Sequence, residues 1–508
     1  MKRTRHLFQS SVIVMVLFGI GKLTGLVRAR LVSNSFGTGS AFDAFTAANQ
    51  LPEVFFVVIS GGSLAAAFIP VYTAYLAQEG PRRSARLANT VLTIVFGLLA
   101  VIAALGALLA PWLTRVLLVP DFPPQSQQLT ADLMRILLIT AMLYGISGVL
   151  SSILNAHQHF ALPALSDITI DIGYLTGIFL FASAGIYGLA WGTVVGAALQ
   201  ILVQIPGLLR FGYRFRPRLD LKLSGVRQIA HLMGPRIVTL GVIQVADLFI
   251  VRLASALPAG STAGYFYAYQ LMQLPETLFG TAIALVVFPT LAELYNAGDL
   301  AGLKHTFARA MSVIWALTVP AAAAVALLGR QAIATLLETG AFTAESTALV
   351  YRVLLVFCVR IVSEATLDLV ARLFYAQHNT RTPMFTYLGW LVINVGLAFW
   401  LVDDFDIAGL ALASTVAFTV LAAALLVLNR RALGGLEEGL LARNAARTLA
   451  ATAGMAVVIW LVGQWVPGTA AQLLVGIGSG LVTYVLLHLL LGGQEIPALL
   501  RMLRERSS

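Results

Sequence analysis

The sequence is poor in charge and almost without cysteine. Only 11% of its 508 residues are Asp, Glu, Lys or Arg. Acids are the scarcer sign: 23 Asp and Glu stand against 33 Lys and Arg, a formal net charge of +10. The single cysteine, Cys358, lies in a hydrophobic run, which excludes an intramolecular disulfide and a multi-cysteine metal site. The histidines are scattered without metal-ligand spacing. No Gly-x-x-x-x-Gly-Lys-Ser/Thr loop is present, so ATP does not drive the chain directly. No basic domain stands outside the apolar stretches, which argues against a nucleic-acid partner. No nucleophile–base constellation is legible, and the chain reads as a non-enzyme.

What is there is long apolar sequence. Hydrophobic residues make up 59% of the chain and the mean hydropathy is +0.87. No soluble globular protein of this length needs so much. A helix needs roughly 20 mainly apolar residues to cross a bilayer. Backbone polar groups must be satisfied within lipid, so these runs are expected to be helices. They are too continuous for barrel strands. The pattern predicts fourteen spans, at about 11–33, 47–76, 88–118, 131–156, 162–183, 186–210, 229–255, 265–294, 306–328, 347–376, 383–402, 406–429, 445–466 and 470–492. The first run lacks a signal-peptide cleavage site and is read as mature helix.

The loops carry a topological signal. With the N-terminus inside, inner segments hold Lys2, Arg3, Arg5, Arg82, Arg83 and Arg86. They also hold Arg214, Arg216, Arg218, Lys222, Arg227, Lys304, Arg381, Arg430, Arg431 and Arg443, and the tail adds Arg501, Arg504 and Arg506. Most outer loops, 34–44, 120–128, 257–264, 403–406 and 466–469, hold no Lys or Arg; Arg330, Arg115 and Arg252 are the exceptions. The bias places both termini in the cytoplasm.

The chain also repeats itself. Gln50-Leu51-Pro52-Glu53 returns as Gln273-Leu274-Pro275-Glu276, and Gly188-Leu189-Ala190 as Gly409-Leu410-Ala411. The offsets cluster near about 220 residues. Six spans precede the basic linker at 211–228, and six follow it. An even span number gives both lobes one orientation, as in transporters with parallel repeats. The expected organisation is all-α: an N-lobe over 1–210, a C-lobe over 229–429, and two added spans with a tail over 430–508.

Charges inside spans are costly, so each marks a candidate site. Span 1 holds Lys22 and Arg28, which point about 120° apart on a straight helix. A bend at Gly25 could aim both into one cavity, where two cations suit a diphosphate. Asp167 and Asp171 of span 5 share a helix face and could balance those cations or bind a coupling cation or proton. Arg360 and Glu364 of span 10 are spaced as an intrahelical pair, and Asp368 is expected to find its partner in the nearby basic loop. Asp247 of span 7 is a candidate ligand for a coupling cation, with neutral oxygens from Asn394 and Thr415. Glu53 and Glu276 follow prolines that should distort their helices.

The residues 25–28 (Gly-Leu-Val-Arg), 36–37 (Phe-Gly), 43–45 (Asp-Ala-Phe), Leu51-Pro52 and 67–70 (Ala-Phe-Ile-Pro) resemble the start of the MurJ (MviN) lipid II flippases. Further matches are Leu154-Asn155-Ala156, Met233-Gly234-Pro235, Leu271-Met272 with Pro275, and Gly340-Ala341-Phe342-Thr343. The resemblance covers nearly the whole chain and lies within the multidrug/oligosaccharidyl-lipid/polysaccharide exporter superfamily. It implies a flippase of the bacterial cytoplasmic membrane, carrying the undecaprenyl-diphosphate-linked peptidoglycan precursor to the outer leaflet by alternating access. It also implies membrane lipids and cell-wall synthesis proteins as partners, and Na+ or H+ as coupling ion rather than a bound cofactor. The candidate substrate set is Lys22, Arg28, Asp43, Glu53, Gln270, Gln273 and Glu276, of which Arg28 matches an arginine of the family. The coupling set is Asp247, Asn394 and Thr415 with Asp167 and Asp171. Lys22 stands where the family usually has arginine, Phe56-Val57 where it has an arginine pair, and Tyr269-Gln270 where it has Asp-Arg. These departures keep two other readings open: export of a different polyprenyl-diphosphate glycan or small amphiphile, and a non-transporting scaffold.

Overall fold

The computed structural model describes residues 2–60 and 62–495. The basic tail residues Arg501, Arg504 and Arg506 lie outside the described residues. Among the described residues there are fifteen α-helices and no strand. They are α1 (Lys2–Phe36), α2 (Ser40–Phe55), α3 (Gly62–Gln78), α4 (Gly80–Trp112), α5 (Pro124–Ala156), α6 (Ala161–Phe179), α7 (Ile186–Arg210) and α8 (Ser224–Ala254). Then follow α9 (Ser261–Pro275), α10 (Ala282–Asn296), α11 (Leu300–Leu337), α12 (Ala344–Ala376), α13 (Arg381–Leu433), α14 (Glu438–Trp465) and α15 (Thr469–Leu490). Eight described helical stretches are long and apolar enough to cross a membrane.

The order of elements repeats. A single helix is followed by a broken helix, two long helices, and a pair joined at a sharp corner. The first set is α1, α2 with α3, α4, α5, and α6 with α7. The second is α8, α9 with α10, α11, α12 and the two halves of α13. The distortion expected at Leu-Pro-Glu is a π-helical turn in each set, at Phe56–Ser60 and Glu276–Thr281. Proline supplies no N–H and crowds the preceding turn, so the regular ladder fails there. The corners correspond as well. Gly185 has φ 55° and ψ −128°, and Asp406 inside α13 has φ 50° and ψ −138°. Asp406 is thus a non-glycine residue held at a positive φ that glycine adopts most readily. Gln158 and His378, just past the ends of α5 and α12, both have φ 59°. Each permits the amide one residue on to close the helix end, His159 onto the Leu154 carbonyl and Asn379 onto that of Phe374.

Packing divides the chain into two compact units. The first comprises Met1–Ala263 with Thr339–Phe342, and the second Gly264–Glu338 with Thr343–Ser508. In the first unit a continuous core joins α3, α4 and α5 through Phe68, Tyr72, Leu87, Val91 and Ile153. The helix α8 packs there too, through Ile229. In the second unit α14 and α15 pack on α11 through Leu328, Ala451, Met455, Ile459 and Tyr484. Gly476 of α15 faces Leu328 of α11 and Gly480 faces Ile459 of α14, and the missing side chains let these helices lie close together.

Candidate functional site

In the first unit Arg28 of α1 meets α6. Its guanidinium lies 3.1 Å from the Asp171 carboxylate and 4.9 Å from the ring centre of Tyr174. Thr24, one turn before Arg28, donates to the other Asp171 oxygen. The Arg28 side chain keeps 24% of its surface and Asp171 8%. The cation is therefore neutralised by one acid yet open on its other side. Glu53 is exposed and accepts from Asn49 at 3.4 Å. Lys22 is exposed, without the enclosure given to Arg28. Asp167 accepts from Gln200 of α7 at 3.4 Å, so the two acids of α6 have different partners.

Asp43 is buried at the start of α2. Its carboxylate accepts from the backbone amides of Gly260 and Ala263, capping the start of α9 from another element. Both oxygens are thereby engaged by backbone.

The second unit holds a charge ladder on one face of α12. Arg360 donates to Glu364 at 2.8 Å, and Arg372 lies 3.1 Å from Asp368. The expectation of a loop partner for Asp368 is corrected: the partner is Arg372, one turn on along the same helix. Asp368 also accepts from Thr281 on the Glu276–Thr281 π turn at 2.6 Å. Glu276 is buried and lies 3.1 Å from the same hydroxyl and 3.2 Å from that of Thr277. Arg360 is buried too. Its guanidinium stacks 4.1 Å from the Phe418 ring centre and 5.0 Å from Tyr269, and donates to Ser414 at 2.7 Å. Gln273 donates to the Tyr269 hydroxyl at 2.7 Å, whereas Gln270 is exposed. Arg372 and Thr281 escaped the sequence reading. The spacing 360, 364, 368, 372 was the available signal for Arg372; the π turn that aims Thr281 had none.

Asp247 lies on α8, partly buried, in the first unit. Asn394 and Thr415 lie on the two halves of α13 in the second unit and are buried. Thr415 donates to the Val356 carbonyl at 3.3 Å. The Asn394 side-chain oxygen is buried with no hydrogen-bond partner among the described residues. Among those residues no group of three His, Cys, Asp or Glu side chains gathers as a metal site.

Taken chemically, the arrangement offers a partly exposed cation, Arg28, held by a single acid, and a ladder of ion pairs along α12, inside an apolar helical protein. The fold is shared with solved membrane transporters. A solved structure titled "Lipid II flippase MurJ, inward closed conformation" superposes with a TM-score of 0.79 at 20% identity, covering 94% of this chain and 98% of that one. A structure titled as the inward-facing conformation of a multidrug resistance MATE family transporter of the MOP superfamily superposes with a TM-score of 0.71 at 14% identity, over 84% of this chain and 99% of that one. The family model described as lipid II flippase MurJ matches residues 32–477. The chain belongs to the lipid II flippase MurJ family and is a multi-pass membrane protein of bacterial type. A relative from Rhizobium tropici, a probable lipid II flippase MurJ, is 27% identical over 96% of this chain and 94% of its own length. Another so described, from Bdellovibrio bacteriovorus, is 29% identical over 82% of this chain and 80% of its own.

Proposed function

We propose that this chain moves lipid II, the polyprenyl-diphosphate-linked peptidoglycan precursor, from the inner to the outer leaflet by alternating access. Family membership supports the substrate, and the Arg28–Asp171 pair is the observation in this chain that carries it. A guanidinium held by one carboxylate and open on its other side can exchange that carboxylate for a diphosphate. Both are bidentate acceptors, and the exchange keeps the cation paired throughout. Tyr174, stacked against Arg28, limits its swing. Lys22, exposed on the same helix, adds a second, mobile cation toward the headgroup. Glu53, in the same unit as Arg28, offers a polar contact to the remainder of the headgroup.

Coupling to Na+ or H+ is part of this proposal. The orphaned oxygen of Asn394 is the kind of ligand a hard monovalent cation satisfies, with Thr415 supplying a second oxygen. Asp247 is the acid to test on α8. The termini face the cytoplasm in this reading, as the Lys and Arg bias supports. Cell-wall synthesis proteins that produce or consume lipid II are its natural neighbours.

The test uses cells depleted of their own lipid II flippase and expressing this chain. The quantity measured is lipid II accessible on the outer face, after membrane expression has been confirmed. Exposure restored by wild type and lost in Arg28→Ala is the expected result. No exposure with the protein present would overturn lipid II as substrate. The Tyr269-Gln270 departure would then direct attention to another lipid-linked glycan.

A further inference from the structure

The segment between α7 and α8 is neither helix nor strand over residues 213–220, yet its backbone is firmly held. It lies along the first turns of α4. The buried Tyr213 donates through its hydroxyl to the Asn89 side-chain oxygen at 2.7 Å. The Arg216 amide donates to the same oxygen at 3.3 Å, and the Arg218 amide to the Thr93 hydroxyl at 3.2 Å. Asp220 is taken up by Arg86 of α4. Tyr213 and Asp220 anchor the strap, and the side chains between them point away. Arg214, Arg216, Arg218 and, just beyond, Lys222 are exposed. Between them stand apolar side chains that a soluble loop would hide: Phe215 is 51% exposed, Leu219 66% and Leu221 62%.

The depth of the strap follows from α4. The first turn of α4 carries Arg82 and Arg83. Its outward apolar surface begins at Phe96, Leu98 and Val101. The strap is bonded to Asn89 and Thr93, between those two zones. That is the level at which headgroups give way to acyl chains. Alternating arginines and large apolar groups suit that boundary: long cationic side chains reach phosphates while the apolar ones enter the hydrocarbon edge.

We propose that residues 211–222 form a membrane-surface clamp for anionic phospholipid headgroups. Arg214, Arg216, Arg218 and Lys222 bind the phosphates, while Phe215, Leu219 and Leu221 enter the acyl boundary. The strap's own acid is already paired, so its free charge is wholly positive and complements an anionic leaflet. A soluble acidic protein could meet the arginines but would leave Phe215 and Leu219 facing the apolar band. Which leaflet is engaged rests on the topology proposed above; the headgroup chemistry does not.

The experiment uses the full chain in nanodiscs, where both leaflets are alike, so neither orientation nor transport enters the result. Leu219→Cys, in a Cys358→Ser background, carries a nitroxide whose depth is read from oxygen against nickel-chelate accessibility. Native mass spectrometry reads the ratio of phosphatidylglycerol to phosphatidylcholine retained. The label should lie below the headgroups in discs containing phosphatidylglycerol and shallower in phosphatidylcholine alone. The wild-type retention ratio should exceed that of the Arg214→Gln/Arg216→Gln/Arg218→Gln variant by about threefold or more. A water-exposed label in phosphatidylglycerol discs would overturn the proposal, and so would equal depth in both lipids. Equal retention ratios in a triple variant that melts like wild type would overturn it as well. The label reports without the triple variant, so poor folding of that variant leaves the test intact.

Discussion

Gly188 and Gly409 face the same obstacle in the two repeats. A Cβ on Gly188 would fall 2.2 Å from the Phe181 carbonyl oxygen, and one on Gly409 would fall 2.1 Å from that of Leu401. Each glycine sits just past the corner made by Gly185 or Asp406, where the chain turns back on the helix it has left. The recurring Gly-Leu-Ala is therefore a steric requirement of the corner. Gly188→Ala and Gly409→Ala should each destabilise the protein by roughly 1–3 kcal/mol, because the clash is with backbone. Gly396→Ala, inside α13 with open space around it, should be neutral or slightly stabilising. Thermal melts in detergent check the contrast; equal shifts for all three would refute the steric account.

Arg28 should be separable from its partner. Arg28→Ala should abolish transport while the protein still reaches the membrane. Asp171→Asn keeps the shape but removes the competing charge. It should cost roughly 1–3 kcal/mol through a less satisfied cation and leave Arg28 more available to anionic substrate. Transport by Asp171→Asn should persist, with altered dependence on substrate level. Normal transport by a well-expressed Arg28→Ala would remove Arg28 from the substrate path.

Asn394 gives the coupling proposal a test of its own. Asn394→Leu fills the space without an oxygen, and Asp247→Asn removes a charge from α8. Each should weaken the response of transport to an imposed Na+ or pH gradient by several-fold. An unchanged response in both variants would separate these residues from coupling. Neutral Asn394→Leu stability would show that the orphaned oxygen itself contributes little to folding.

The repeat, the helical class and the intrahelical pair of Arg360 with Glu364 were legible because each leaves a period in the chain: about 220 residues for the duplication and four for the pair. The choice of Asp171 over Asp167 as partner of Arg28 was not legible. The two acids lie one turn apart on one face, and only the packing of α1 on α6 selects between them. Asp43 read as a residue of the substrate set, yet its carboxylate caps α9. A cap supplied from a distant helix leaves no local spacing to read. The π turns that aim Glu276 and Thr281 were foreseen only as proline distortion, since a proline fixes that the ladder breaks but not how it closes again.

Arg360 distinguishes a planar cation from a mere positive charge. It lies between Phe418 and Tyr269 and donates to both Glu364 and Ser414. Lysine keeps the charge but cannot stack as a plane or serve two acceptors in fixed directions. Arg360→Lys should therefore lower stability by about 2 kcal/mol. An unchanged melting temperature would mean that charge alone matters there.

His157 supplies a pH dependence outside the membrane-spanning segments. It follows the end of α5, its Nε2 lies 3.2 Å from the Tyr72 hydroxyl, and its ring stacks 4.6 Å from that of Phe211. Burial holds its pKa below the usual value near 6.5. The folded protein thus binds this proton less readily than the unfolded chain does. The stabilising contribution of the neutral ring is complete above the unfolded value and is lost as pH falls through the depressed folded one. Melting temperature should be flat through neutral pH and decline as the solution is acidified below about 6.5. His157→Phe keeps a ring against Phe211 without a titrating group, so its decline should be shallower by one proton's worth of slope. Parallel curves for wild type and His157→Phe would assign the acid sensitivity to other groups and leave the His157–Phe211 stack as packing alone.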